Sequence, residues 1–335
     1  MAVEFYKEHG PLGYLANYSS HGFIKNGIYY KTVEHYYQSE KFADYQIRKQ
    51  IIDADTPKLA SAIGRDRNNT RIKDFKSIKN KVMYEGILEK FRQNRDIAYS
   101  LIATGHEDIR EATIDEYYWG IGQNRSGQNN IGKILECVRD RIKLEIIEAI
   151  INECKLYDTV NVVISKSDID SIVSAHILRN ILRKLGINVK VSYPLSFLES
   201  GELDINILEF YLHERIDYLT PNSKAILVNC EDFTGIPMQN VIAAIDNHFA
   251  TGEVYNTISI GYASTALVLY DLFREGYNFT EQEKILIALA SSPNVDCLSR
   301  VIKTSKKDIL FTGYINNNES KKMLRSSMCS PVTLV

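Results

Sequence analysis

Past residue 155 the apolar residues of this chain cease to recur at helical intervals and gather into short Val/Ile-rich runs, so no single fold class accommodates it. Before that point the pattern is helical. Thr32 can cap a helix over Glu34 to Phe42, and Thr56 with Pro57 is a cap plus first-turn proline ahead of Lys58 to Ile63. From Lys73 to Phe91, residues Phe75, Ile78, Val82, Ile87, Leu88 and Phe91 form one apolar stripe. Ile134, Leu135, Val138, Ile142, Ile146, Ile147 and Ile150 line one side of a long helix from Ile131 to Ile151. Beyond it, Thr159 to Ser165 reads as a buried strand and Asp170 to Leu185 as a helix. Asn188 to Ser192, Lys224 to Asn229 and Val241 to Asp246 read as further strands, an alternation that predicts a mostly parallel α/β sheet. With 335 residues there is chain enough for two cores. The expected organisation is a mainly α domain over 1–150, an α/β domain over 158–312 and an Asn/Ser/Lys-rich tail over 313–335.

Hydrophobic content of 44% and charged content of 24% are those of a globular protein. A formal net charge of −2 does not mark the whole molecule as a polyanion binder, although 40 Lys and Arg leave room for local basic patches. No apolar run approaches the roughly 18 residues of a membrane span, and the first residues lack the basic and apolar segments of a signal peptide. Five scattered cysteines without C-x-x-C spacing argue against a disulfide framework and against structural zinc. A reducing cytoplasm and no membrane partner are expected.

The first domain holds carboxylates crowded by aromatics. Thr32-Val33-Glu34-His35-Tyr36-Tyr37-Gln38 places an acid at a helix start, and Asp115-Glu116-Tyr117-Tyr118-Trp119-Gly120 places two more beside the only tryptophan. Cleaving an N-glycosidic bond passes through an oxocarbenium-like sugar carbon, which needs a carboxylate to stabilise charge or activate water, a polar group for the leaving nitrogen, and an aromatic wall for the base. The polar loop from Gln123 to Gly132 leads into the long helix, where backbone N–H groups suit a phosphate. Each feature has a plainer alternative. Glu34 is also a first-turn acid favoured by the helix dipole, Trp119 a core residue, the glycine loop a connector, and His35 a structural histidine without a metal partner at i+4.

The combination Tyr14-Leu15-Ala16-Asn17-Tyr18, Thr32 to Phe42 (T-V-E-H-Y-Y-Q-S-E-K-F), Gly64-Arg65-Asp66-Arg67, Tyr118-Trp119-Gly120 and Gly127-Gln128-Asn129-Asn130-Ile131-Gly132 resembles the NADAR family over residues 5 to about 143. The resemblance implies a small, mostly helical N-glycosidase. It would act on phosphorylated riboflavin-pathway intermediates or remove ADP-ribose from guanine in nucleic acid. It matches Glu34 to the catalytic glutamate and Trp119 to the active-site tryptophan. Glu116 stands where the family usually has aspartate, and Phe75 where several members carry another tryptophan. Arg65, Lys41, Asn129, Asn17 and the Gly127 loop match polar positions suited to phosphate or ribose. Glu34, Glu116 and Trp119 are thus the expected catalytic set, and no cofactor is required for that chemistry.

In the second domain, Asp168 and Asp170 follow a buried strand at a helix start, where carboxylates are able to hold a divalent cation over a sheet edge. With Asp246-Asn247-His248, Gly261 to Thr265 and Asp296, the order resembles the DHH phosphoesterase superfamily over about residues 158–312. That resemblance implies two-metal hydrolysis, but the family's leading ligand falls at Ile164, a mid-domain aspartate at Asn229 and the middle histidine at Asn247. What remains, Asp168, Asp170, Asp246, His248 and Asp296, suits at most one weakly held Mn²⁺ or Mg²⁺, and a catalytically silent domain kept for binding or assembly is the competing expectation. The expected partner is a nucleotide-like small molecule or ADP-ribosylated nucleic acid, with a homo-oligomer left open. The alternatives to glycosidase action are sequestration of an ADP-ribose-derived or cyclic nucleotide signal and phosphodiester cleavage in the second domain.

Overall fold

Two units, Met1–Glu145 and Ile146–Val335, make up the computed structural model, which describes residues 2–6, 8, 10–193, 203–220, 222–230, 236–247 and 257–291.

In the first unit, Thr32 sits in extended backbone and its hydroxyl accepts the amide of His35, starting α1 (Val33–Ser39). Every residue of α1 is buried, including Glu34, His35 and Gln38. A helix that hides polar side chains on all sides needs a partner for each of them. His35 has its own: Nδ1 meets the Thr32 hydroxyl at 2.8 Å and Nε2 the Ala54 carbonyl at 3.0 Å, so it is structural. Asp44 caps α2 (Tyr45–Asp53), and Thr56 with Pro57 starts α3 (Pro57–Arg65) as its sequence predicts. α4 (Phe75–Gln93) buries Phe75, Val82, Ile87, Leu88 and Phe91, while Ile78 of the expected stripe stays exposed. α5 (Arg95–Ile102) follows, and α6 (Asn130–Cys154) runs past the boundary between the units.

Short strands complete this unit. β1 (Val3–Phe5) pairs in parallel with β4 (Ile109–Glu111), setting Phe5 opposite Glu111. β2 (Phe23–Lys25) and β3 (Ile28–Tyr30) form a hairpin whose turn residues Asn26 and Gly27 have φ of 52° and 77°. Two left-handed residues between antiparallel strands give the twist a hairpin needs.

Among its described residues the second unit forms a parallel sheet of six strands in the order β10-β9-β8-β5-β6-β7. These are β5 (Val160–Val163), β6 (Val189–Tyr193), β7 (Asp217–Tyr218), β8 (Lys224–Val228), β9 (Val241–Asp246) and β10 (Thr257–Ser259). β5 and β9 are buried throughout, as strands covered on both faces must be. α7 (Ile169–Lys184), α8 (Ile205–Leu212), α9 (Thr265–Phe273) and α10 (Glu281–Ala290) accompany them. The expected alternation and parallel sheet are present; β7, β10 and α8 were not legible in the sequence.

Candidate active site

α1 delivers Glu34 into the interior. Its amide donates to the Asn17 carbonyl at 3.2 Å, and one turn on, Gln38 Nε2 donates to Glu34 Oε1 at 2.6 Å. α3 packs against this pair through Gly64, where a Cβ would come within 2.1 Å of Gln38 Oε1. Burial pushes the Glu34 carboxyl above its ordinary range, opposed by Gln38, by the nearby Ser61 hydroxyl and by the charges of Lys41 and Arg65. Tyr18 shares the neighbourhood: its phenol is raised by burial first and then by the Glu34 charge.

Beside Glu34 stands an aromatic wall. The Tyr37 ring is 5.4 Å from Phe75 and 5.7 Å from Trp119, both edge-to-face, and Trp119 meets Tyr118 at 4.9 Å. Lys41 Nζ lies 5.0 Å from the Tyr37 ring and 5.9 Å from Phe75. Burial lowers Lys41 to about 8 against the pull of Glu34. Arg65, at the exposed end of α3, acts by charge on both Glu34 and Lys41. Lys79 Nζ lies 3.1 Å from the Tyr118 ring centre and 5.7 Å from that of Trp119.

The polar loop ahead of α6 was expected to offer its N–H groups to phosphate, and its hydrogen bonding corrects that expectation. Gly127 N donates to Ile121 O at 2.8 Å, Gln128 N to Tyr117 O at 2.7 Å and Asn129 N to Gly120 O at 3.1 Å. Asn130 N donates to Tyr118 O at 3.2 Å and Ile131 N to Trp119 O at 3.0 Å. These amides staple the tryptophan-bearing segment in place. Gly127 packs against that segment too closely for a side chain, since a Cβ would lie 2.3 Å from Gly120 O. The Asn129 side chain is likewise engaged: Oδ1 accepts from Glu111 N at 3.1 Å and Nδ2 donates to Ile109 O at 2.7 Å. Gly127 and Asn129 therefore hold the site together from behind.

Glu111, not among the expected site residues, ends β4 within electrostatic reach of both Glu34 and Glu116. One oxygen accepts from the Thr113 hydroxyl at 3.1 Å; the other, Oε2, is buried without a hydrogen-bond partner. Burial pushes its carboxyl up to about 7 against the Thr113 hydrogen bond, and the charges of Glu116 and Glu34 add to the rise. Glu116 is half-buried, and its charge also acts on Tyr37. Asn17 Oδ1 and Gln38 Oε1 are buried and unpartnered as well. Polar atoms so placed in a folded core are costly unless something else comes to meet them. The structure thus gathers Glu34, Glu116, Trp119, Asn17, Lys41, Arg65 and Phe75 into one neighbourhood and adds Glu111, Gln38, Tyr37 and Tyr18.

The second unit treats its acids differently. Asp168 caps α7 by accepting Ser171 N at 2.7 Å. Asp170 meets the start of α9, whose N-cap is Ser264, accepting Thr265 N at 2.8 Å, Ala266 N at 2.9 Å and the Ser174 hydroxyl at 3.1 Å, and burial still lifts it to about 6. The Thr265 hydroxyl shares its one proton between Asn229 Oδ1 at 3.1 Å and Asn247 Oδ1 at 3.0 Å, while Asn229 Nδ2 donates to Ser171 Oγ at 2.9 Å. Asp246 ends β9 and is buried. Of the expected ligands, His248 and Asp296 lie outside the described residues. Among the described residues no group of three or more His, Cys, Asp and Glu side chains could hold a metal ion.

The first unit, a small and mainly helical domain with a buried carboxylate against an aromatic wall, is a NADAR domain: that family's model matches residues 4–143, and the chain belongs to the family. It is similar to N-glycosidase Npun_R5314 of Nostoc punctiforme, 38% identical over 146 residues, which are 43% of this chain and 94% of that protein. N-glycosidase YbiA of Escherichia coli is 31% identical over 143 residues, 43% of this chain and 89% of that protein. The NMR structure of E. coli YbiA aligns with a TM-score of 0.42 at 30% identity, covering 44% of this chain and 88% of that one. Riboflavin biosynthesis protein VVA0006 of Vibrio vulnificus is 30% identical over 141 residues, 42% of this chain and 38% of that protein.

Proposed function

We propose that the Met1–Glu145 unit hydrolyses an N-glycosidic bond between a ribose and a base or amine nitrogen. The single observation that carries this reading is the buried Glu34 carboxylate beside the Tyr37–Trp119–Phe75 wall, with Lys41 and Arg65 acting on it by charge. Breaking the bond leaves positive charge on the sugar carbon. A carboxylate in a low-dielectric pocket stabilises that charge far more than one in water, and the rings hold a flat base by stacking. Lys41 and Arg65 supply positive charge for the phosphates of a nucleotide. Glu116 contributes a second carboxylate near the wall.

The substrate we favour is ADP-ribose attached to guanine, in a nucleotide or in DNA; a phosphorylated riboflavin-pathway intermediate is second. The names of the relatives, N-glycosidases and a riboflavin biosynthesis protein, support the bond type. The test is to incubate the full chain with an ADP-ribosylated guanine oligonucleotide and, separately, with phosphorylated riboflavin intermediates, and to identify products by mass. Multiple turnovers with release of free base or ribose phosphate are expected, and Glu34→Gln should abolish them without unfolding the protein. Stoichiometric binding of unchanged ligand would instead identify a sequestering protein.

A further inference from the structure

Two carboxyls in this site have opposite surroundings. Glu34 is held by Gln38 and feels two cations, Lys41 and Arg65. Glu111 feels two anions, Glu34 and Glu116, and no lysine or arginine among the described residues acts on its carboxyl. On the strand paired with it, Phe5 stands opposite, and the neighbouring Glu4 is engaged by Arg125 and Arg110. Thr113 donates to Oε1, leaving Oε2 buried and unpartnered. Gly120 lines the Oε2 side, where an added Cβ would lie 3.3 Å from that oxygen and 2.7 Å from the Glu111 carbonyl.

We propose that Glu111 is the general acid of this site, the group that protonates the departing nitrogen, while Glu34 is the carboxylate that activates water. The assignment rests on the N-glycosidase reading above. When two carboxyls share a buried site, charging both is unfavourable, and the one with cations beside it ionises first. That leaves the proton on Glu111. Its backbone is fixed at both ends, the amide by Asn129 and the carbonyl by Ile121 N at 2.8 Å, and the Thr113 hydroxyl holds Oε1 at 3.1 Å, which together orient the free oxygen.

The C1–N bond breaks with its electron pair going to nitrogen, which takes the Glu111 proton. Water oxygen bonds to C1 and gives a proton to Glu34. Transfer of that proton back to Glu111 through solvent restores the starting state, and the net change is hydrolysis.

The experiment is the pH dependence of kcat and KM for wild type, Glu34→Gln, Glu111→Gln and Glu111→Asp, with the ADP-ribosylated guanine oligonucleotide and the phosphorylated riboflavin intermediates as probes. Wild-type kcat should fall as pH rises through about 7. Glu111→Gln should lower kcat about 10²- to 10⁴-fold with KM little changed and should abolish that alkaline limb. Glu111→Asp should recover part of the rate and keep a limb. Wild-type kcat in Glu111→Gln, with Glu34→Gln inactive, overturns the assignment while leaving the glycosidase reading intact. No turnover of any probe by wild type overturns both. Should Glu111→Gln fail to fold, the wild-type profile decides, because a rate that stays flat well above pH 7 is incompatible with an acid that must hold its proton.

Discussion

Asn129 grips β4 from eighteen residues downstream, accepting the Glu111 amide at 3.1 Å through Oδ1 and donating to the Ile109 carbonyl at 2.7 Å through Nδ2. One side chain thus satisfies both backbone groups and fixes the height at which the Glu111 carboxyl enters the site. Its own backbone has φ of 51°, a left-handed conformation that asparagine tolerates better than most residues.

Replacing Asn129 with Ala should cost about 1–3 kcal/mol, because two part-buried backbone groups lose their partner, with about 1 kcal/mol more from alanine at positive φ. Asn129→Gly removes the same hydrogen bonds without the backbone strain and should be the milder variant. Urea unfolding of both measures this. An Ala variant as stable as wild type would show that Asn129 does not brace β4.

Gly64→Ala should disturb the Gln38–Glu34 pair, since the new methyl would sit 2.1 Å from Gln38 Oε1. Either Gln38 turns away from Glu34 or α3 shifts, at about 1–3 kcal/mol. Glycosidase kcat should fall with it. Unchanged kcat and melting temperature would mean that Gln38 moves freely and does not position Glu34.

Stability should depend on pH through Glu111. Its carboxyl titrates near 4.5 when unfolded and near 7 when folded, so between those values the folded state binds more protons. Its contribution is therefore complete below pH 4.5 and is lost as pH rises through about 7. The difference amounts to at most about 3 kcal/mol. Urea unfolding across this window should show stability falling with pH in wild type and a shallower fall in Glu111→Gln; equal slopes would contradict the raised carboxyl.

Asp170→Ala should destabilise the second unit by about 1–3 kcal/mol, because the first two amides of α9 lose their acceptor while the Ser264 cap remains. If accepting those amides is its role, adding Mn²⁺, Mg²⁺ or a chelator leaves the wild-type melting temperature where it was. A metal-dependent rise that Asp170→Ala abolishes would instead make Asp170 a ligand.

What the sequence reveals here is what local chemistry dictates. Thr32 and the Thr56–Pro57 pair announce helix starts because a cap acts over three residues, and β5 and β9 are recognisable because strands buried on both faces must be apolar throughout. The β2–β3 hairpin carried a signal, the Asn26-Gly27 turn, between strands too short to show alternation. The β1–β4 pair carried none, because three-residue strands that meet across a hundred positions depend on tertiary contact. The same limit applies to the site. Glu34 and Trp119 stood in recognisable surroundings, whereas Glu111 is defined by Gly120 and Asn129, nine and eighteen residues on, and by Glu34 from α1, contacts that only the folded chain brings together. Asp168 and Asn129 show the converse: a polar residue at a suggestive spacing is as readily spent on a backbone amide as offered to a ligand.

Because α1 has no solvent-facing side, its amide protons have no local route to exchange. They should be among the slowest in the first unit and report its global opening. Changes in substrate preference are then easier to reach through the exposed end of α3 than through α1, where any change of volume is felt by the whole core.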